Sequence, residues 1–186
     1  MDLVFEDIIT REVPEDDSTS HEEKMILYNH IRELRPEIVV ETGTHRGLTS
    51  FYLAHALHDN EFGHLYTADP YEWGAKGNFR KIPELAPYIT YHQIRGSELK
   101  NHINKIDFFF CDGYHEKEEV LEEVDALFPL LTDGAVVYFH DSNDSAPTCD
   151  IPGAINERGL EVEYIRTKNG MARYNHRSNP DADTEG

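Results

Sequence analysis

The sequence predicts an α/β chain: a doubly wound, mainly parallel seven-stranded sheet with a reversed edge strand supplied by a C-terminal hairpin. Three observations carry that reading. The stretch Ile106–Asn143 is strand, helix, strand: IDFFFC (Ile106–Cys111), then apolar residues at Val120, Leu121, Val124, Leu127, Phe128 and Leu131 on one helical stripe, then AVVYF (Ala135–Phe139) after the turn Asp133-Gly134. A βαβ unit of that length makes its two strands parallel, so their carboxyl ends share one edge of the sheet. Upstream, strand-like and helix-like runs alternate. Downstream, Lys168-Asn169-Gly170 joins two short strand patterns, and Asn-Gly there signals a tight hairpin.

Taken in order, residues 1–19 form a pendant segment with a short apolar patch and the charged run Glu12–Asp17, a possible cover over the active edge or a frayed end. Ser20 and Glu23 fit a capping box that starts a helix with Leu27, Tyr28, Ile31 and Leu34 on one face, ending before Pro36. Glu37–Glu41 is the first strand, Leu48 to about His58 a helix, and His64–Ala68 the second strand. Pro70–Pro87 is irregular, with a short helix expected near Asn78–Leu85. Ile89–Ile94 is the third strand, and Gly96-Ser97 opens a helix to about Asn104. After the central unit, a loop at Asp144–Pro152 leads to a short helix near Gly153–Glu157, and then to the strands Leu160–Arg166 and Met171–Asn175. The domain thus spans 20–177, and 178–186 reads as a disordered tail.

A chain of 186 residues suffices for one domain that buries roughly 70% of its unfolded surface. Two cysteines, Cys111 in a strand and Cys149 in a loop, have no zinc-type spacing and suggest a reducing, cytoplasmic setting. No apolar run approaches the roughly 18 residues of a membrane span. Acidic residues outnumber basic ones 36 to 17, for a net charge of −19. Such a surface repels phosphate backbones and anionic lipid, which disfavours nucleic-acid and membrane partners and leaves small molecules and glycans.

The predicted carboxyl edge gathers Asp112 and His115 from one strand with His140, Asp141 and Asn143 from the next. Ligands of open α/β sheets bind there. The first βα turn, Glu41-x-Gly43-x-x-x-Gly47, is spaced for close approach of a ligand to backbone at a helix N-terminus. It lacks the dinucleotide fingerprint, and Glu41 would repel a pyrophosphate but attract an ammonium or sulfonium. Asp69 ends the second strand, where a carboxylate can hold a ribose diol or simply cap a turn. The two acids together describe a nucleoside site with no demand for phosphate. The carboxylates of Glu116–Asp125 read as a solvated helix face, and Tyr71 and Trp73 as either a lid or a packing anchor. His21, His30, His55, His58, His64, His92, His102 and His176 show no ligand spacing. His140 is best read as a structural residue.

These stretches (ETGTHRG, YTADPY, IDFFFCDGYHEKEEVLEEVDALFPLLTDGAVVYFHDSN and the terminal hairpin) together resemble a class I S-adenosylmethionine-dependent methyltransferase, a Rossmann-like fold. The group resembled is the small-molecule O-methyltransferases of the macrocin and "methyltransferase 24" type, over Ser20–Asn175. The resemblance implies that Glu41, Gly43 and Gly47 frame the methionine part of the cofactor, Asp69 holds its ribose and Ser97 contacts its adenine. Asp112, which can also touch the cofactor, and Asp141 would bind a divalent cation such as Mg²⁺, with Asn143 as third ligand, although Ser142 stands where related enzymes carry that ligand. His115 matches the catalytic base. The activity implied is methyl transfer to a hydroxyl of a sugar or other small molecule; the alternative is a module that holds a nucleoside cofactor without catalysis.

Overall fold

The computed structural model describes residues 19–143 and 150–177. The expectations for residues 1–18, for most of the loop after Asn143 and for the tail after Arg177 therefore lie outside the described residues. The elements are α1 (His21–Leu34), β1 (Ile38–Thr42), α2 (Leu48–Asn60), β2 (His64–Ala68), α3 (Ala75–Phe79), β3 (Ile89–His92), β4 (Ile106–Cys111), α4 (Lys117–Leu127), β5 (Leu131–His140), α5 (Ile151–Glu157), β6 (Val162–Ile165) and β7 (Met171–Asn175).

They build one seven-stranded sheet in the order β3-β2-β1-β4-β5-β7-β6. The pairs from β3 to β5 are parallel, and β7 runs antiparallel to both β5 and β6. The mainly parallel, doubly wound sheet is thus as the sequence predicts. The reversed strand, β7, lies one place in from the edge, with β6 outside it. The strand order reverses between β1 and β4, which is where such sheets open a crevice.

Phe108 and Phe110 pack on one face with Leu27 and Ile31 of α1 and Phe51 and Leu53 of α2. Phe109 faces the other way, against Val120, Val124 and Leu127 of α4 and Ile155 of α5. Burial on both faces is why β4 reads as an unbroken apolar run. The capping box forms: Ser20 Oγ accepts from the Glu23 amide while the Ser20 amide donates to Glu23 Oε2 at 2.7 Å. Leu34, expected on the buried face, is exposed beside the C-cap, Arg35, whose φ of 51° ends the helix.

Other departures have local causes. Asp133-Gly134, expected as the turn before β5, lies inside that strand. The register slips there, from Ile106 opposite Leu131 to Phe108 opposite Val136, and Gly134 takes φ 79°. Thr132 anchors the bulge by donating to Asp107 Oδ1 at 2.7 Å. Instead of a helix over Asn78–Leu85, α3 starts after Gly74, and Ile82 and Leu85 are buried in the turns that follow. Gly96–Asn101 is a 3₁₀ turn rather than a helix reaching Asn104.

The register aligns the strand ends. Thr42 sits opposite Ala68 and Cys111, and Cys111 sits opposite Phe139. Gly43, Asp69, Asp112 and His140 therefore emerge side by side along one rim.

Candidate active site

The turn after β1 holds its shape through backbone conformations that favour glycine. Gly43 and Gly47 have φ of 85° and 83°. A Cβ on Gly43 would collide with the Asp112 carbonyl, and one on Gly47 with the Phe79 ring. Protein atoms, then, make the close approach at both positions. Glu41 lies beneath this turn, 1% exposed, accepting from Ser50 and from Thr67 Oγ1, the latter at 2.6 Å, with Oε1 left unpartnered. Burial pushes its pKa up to about 8, against those two hydrogen bonds.

That shift has a stability consequence. Folding holds a proton on Glu41 between its unfolded value near 4.5 and about 8, so stability falls as pH rises through that window and levels off above it. Glu41→Gln should flatten the fall in melting temperature between pH 6 and pH 9, measured by thermal unfolding of the two proteins side by side. Parallel curves would show that Glu41 ionises normally in the fold.

Asp69 closes β2 and lines the same cleft. Its Oδ2 accepts from the His45 amide at 2.9 Å and its Oδ1 from the Tyr71 amide at 2.8 Å. It does cap a turn, and those two bonds aim the carboxylate while leaving lone pairs on both oxygens.

At the ends of β4 and β5 the charges converge. His115 Nδ1 is 3.1 Å from Asp141 Oδ2, and its Nε2 is 3.5 Å from Asp112 Oδ1. Asp141 reaches this position because its backbone turns into the left-handed region at φ 51°. His140, fully buried, places Nδ1 2.9 Å from Asp112 Oδ1 and Nε2 3.3 Å from Glu23 Oε2. The first contact is an ion pair without the alignment of a good hydrogen bond. Burial by itself would strip His140 of its proton; Asp112, Asp141 and Glu23 reverse that and push its pKa up to about 12. Burial likewise opposes charge on Asp112, yet His140 and His115 hold its pKa below the ordinary carboxylate value. The hydrogen bond to Asp112 raises His115, against its own burial. His140 thus lies buried between Asp112 and Glu23, which favour its charged form, and it also lines the cleft.

The cleft over this rim has a volume of about 360 Å³, within the range of small-molecule sites. The exposed rings of Tyr71 and Trp73 stand at its mouth, where Trp73 meets His45 edge-on at 5.4 Å between centroids. Their exposure is that of rim residues rather than of a packing anchor. Ser97 instead donates to Glu122 at 2.7 Å, and Gly96 lines the cleft beside it. Asn143 turns away: its amide donates to the Lys168 carbonyl at 3.3 Å, against the hairpin turn. Among the described residues, the group close enough to share one ion at this rim is Asp112, His115 and Asp141.

Sequence reasoning missed two buried acids. Glu123 is buried and lines the cleft, its Oε2 accepting from Thr42 at 2.7 Å and from the Cys111 thiol at 3.4 Å. Burial raises its pKa to about 7, and a side chain on Gly96 or Gly113 would collide with its Oε1. Glu23 was read only as a helix cap. The family model described as "Methyltransferase domain" matches residues 40–142, over half of the chain.

The chain belongs to that family.

Solved methyltransferases share the fold of this methyltransferase-domain chain. The O-methyltransferase TomG from Streptomyces achromogenes, involved in tomaymycin synthesis and solved with S-adenosylmethionine, superposes with a TM-score of 0.73 at 19% identity, covering 96% of this chain and 91% of that one. The methyltransferase PaMTH1 of Podospora anserina, bound to S-adenosylhomocysteine, gives 0.74 at 12% identity over 96% and 89%. An O-methyltransferase from Bacillus cereus, in complex with S-adenosylhomocysteine, gives 0.72 at 14% over 95% and 92%. No curated protein gives a significant match to the sequence. Among the described residues, no helix is long and apolar enough to cross a membrane.

Proposed function

We propose that this methyltransferase-domain chain transfers a methyl group from S-adenosylmethionine to a hydroxyl of a small molecule, a sugar or other polyol being the class that suits the site. One observation carries the reading: an aimed carboxylate at the end of β2, Asp69, and the cluster Asp112, His115 and Asp141 at the ends of β4 and β5 open into one cleft. The solved relatives that hold S-adenosylmethionine or its product share this fold. The net charge of −19 supports a small-molecule acceptor over nucleic acid, and the two cysteines suit a cytoplasmic setting.

The cofactor, when bound, supplies a methyl group activated by its sulfonium. Asp69 would accept from the ribose hydroxyls, and Glu41, Gly43 and Gly47 would frame the methionine end from below. Because the transfer is an in-line displacement, holding donor and acceptor in register supplies much of the rate. His115 would take the acceptor's proton while Asp112 and Asp141 steady the imidazolium that results, as a carboxylate steadies a catalytic histidine elsewhere. Two carboxylates facing one point fit a hard divalent cation, Mg²⁺ by their oxygen chemistry. Such an ion would lower the acceptor hydroxyl's pKa. Asp112 and Asp141 would hold it. Asn143, committed to the hairpin, does not fit that set.

The experiment is calorimetry with S-adenosylmethionine, followed by detection of S-adenosylhomocysteine in the presence of a panel of hydroxylated acceptors. Asp69→Ala should weaken cofactor binding by about 1–3 kcal/mol through the lost charged hydrogen bonds. Equal affinity in wild type and variant would remove Asp69 from the ribose site. Tight cofactor binding with no product from any acceptor would leave a module that holds the cofactor without catalysis.

A further inference from the structure

A second group of ligating side chains lies on α2, at the end away from the cleft. Leu48 and Thr49, at the start of that helix, line the cleft. His55, His58 and Asp59 sit in its last two turns, ten residues further on between Thr49 and Asp59, or about 15 Å at the rise of an α-helix. Read singly, the two histidines show no ligand spacing. With Asp59 they form an i, i+3, i+4 set, which the helix turns onto one face.

The spacing on that face fits the edges of a coordination shell as well as it fits hydrogen bonds. His55 Nε2 lies 3.3 Å from Asp59 Oδ1, and His58 Nδ1 lies 3.4 Å from the same oxygen. Charge-assisted N–H···O bonds are shorter, about 2.7–2.9 Å. Four-coordinate metal–ligand bonds of about 2.0–2.1 Å place neighbouring ligand atoms about 3.3–3.4 Å apart, the edge of the tetrahedron. All three atoms lie within 4.8 Å of one another. The support around them suits this role. His55 is buried, and Tyr28 of α1 donates its hydroxyl to Asp59 Oδ2, so the carboxylate is oriented by an outer partner. His58, 42% exposed, leaves the remaining positions open to water.

The charges also call for a cation. Asp59 stands in the last turn of α2, where the helix carbonyls already make a negative pole. Arg32 donates to the Asn60 side chain, and its charge also reaches Asp59.

We propose that His55, His58 and Asp59 form a second metal site, taking a borderline divalent cation of the zinc class through two imidazole nitrogens and one carboxylate oxygen. Two nitrogens with one oxygen suit zinc or its neighbours better than magnesium, whereas the cleft group offers two carboxylates and one imidazole. An ion there would fasten the end of α2 to α1 through Asp59 and Tyr28. It would act on stability, at a distance from the reacting groups.

The test uses the full chain, stripped with a chelator and titrated with Zn²⁺ by calorimetry, with Co²⁺ as a spectroscopic probe of four-coordination. Wild type should bind Zn²⁺ and melt at a higher temperature with it. His58→Ala, a change at a half-exposed position, should weaken binding by about 10–100-fold or more, since losing even an outer-shell partner costs that much. Asp59→Asn should behave the same way, and both should abolish the rise in melting temperature. Asp141→Asn, which alters the metal-capable group at the cleft, reports any Zn²⁺ held there and should leave intact the rise in melting temperature that His58→Ala abolishes. Wild-type affinity in His58→Ala, no Zn²⁺ binding by wild type, or Zn²⁺ binding lost only with Asp141→Asn would each overturn the proposal.

Discussion

His115→Ala is expected to lower kcat by roughly 10²–10⁴, the cost of removing a positioned general base, with little change in S-adenosylmethionine affinity. The split follows from where the ring sits. His115 faces Asp112 and Asp141 at the β4 and β5 ends, whereas the proposed ribose contact, Asp69, ends β2 and is held by the His45 and Tyr71 amides. Removing the ring leaves those amides and the turn after β1 untouched. It removes one of the two imidazoles beside Asp112 and Asp141 and leaves His140, so any change in stability should come from the lost pairs with His115. Initial rates with an acceptor found by the screen, set beside calorimetry on the same preparations, read both quantities. A variant with wild-type kcat would take the base role away from His115. A variant with lost cofactor affinity would make the ring a binding group instead.

How much of this was legible before folding depended on whether a side chain's role was local. Apolar runs and the Asn-Gly hairpin fixed the sheet class because periodicity and turn chemistry act over a few residues. That Asp69, Asp112, His115 and Asp141 share one rim was legible because strand ends in a βαβ chain fall on one edge whatever the details. Asn143 was misplaced by the same reasoning: it follows Asp141 in sequence, but the left-handed turn at Asp141 sends the chain to the hairpin. Glu123 hid among Glu118, Glu119 and Glu122, and only the tertiary packing decides which of those acids points inward. The His55, His58 and Asp59 set was invisible while histidines were weighed one by one.

The largest effect on stability should come from Glu23. Its carboxylate, wholly buried, accepts from the Ser20 amide, from Thr167 Oγ1 at 2.6 Å and from the Asn169 amide at 3.1 Å, and pairs with His140 at 3.3 Å. One side chain thereby joins the start of α1, the β6–β7 hairpin and the end of β5. Burial raises its pKa, but His140, Thr167 and Ser20 more than compensate and hold it well below the ordinary carboxylate range. Glu23→Ala removes one partner of the buried His140, which keeps Asp112 at 2.9 Å, and leaves the Thr167 and Asn169 donors without their acceptor, a loss of about 3–5 kcal/mol. That is a large share of the roughly 5–15 kcal/mol that holds a typical domain together. Because His140 also braces Asp112, the damage should reach the cleft: among molecules that remain folded, turnover should fall as well. Denaturant unfolding of Glu23→Ala and of Glu23→Ala with His140→Leu separates the causes. If the lost pairing with His140 is the main cost, the double variant recovers part of the loss. If the double variant is as unstable as the single one, the hydrogen bonds to the hairpin, and not the pair with His140, are what Glu23 supplies.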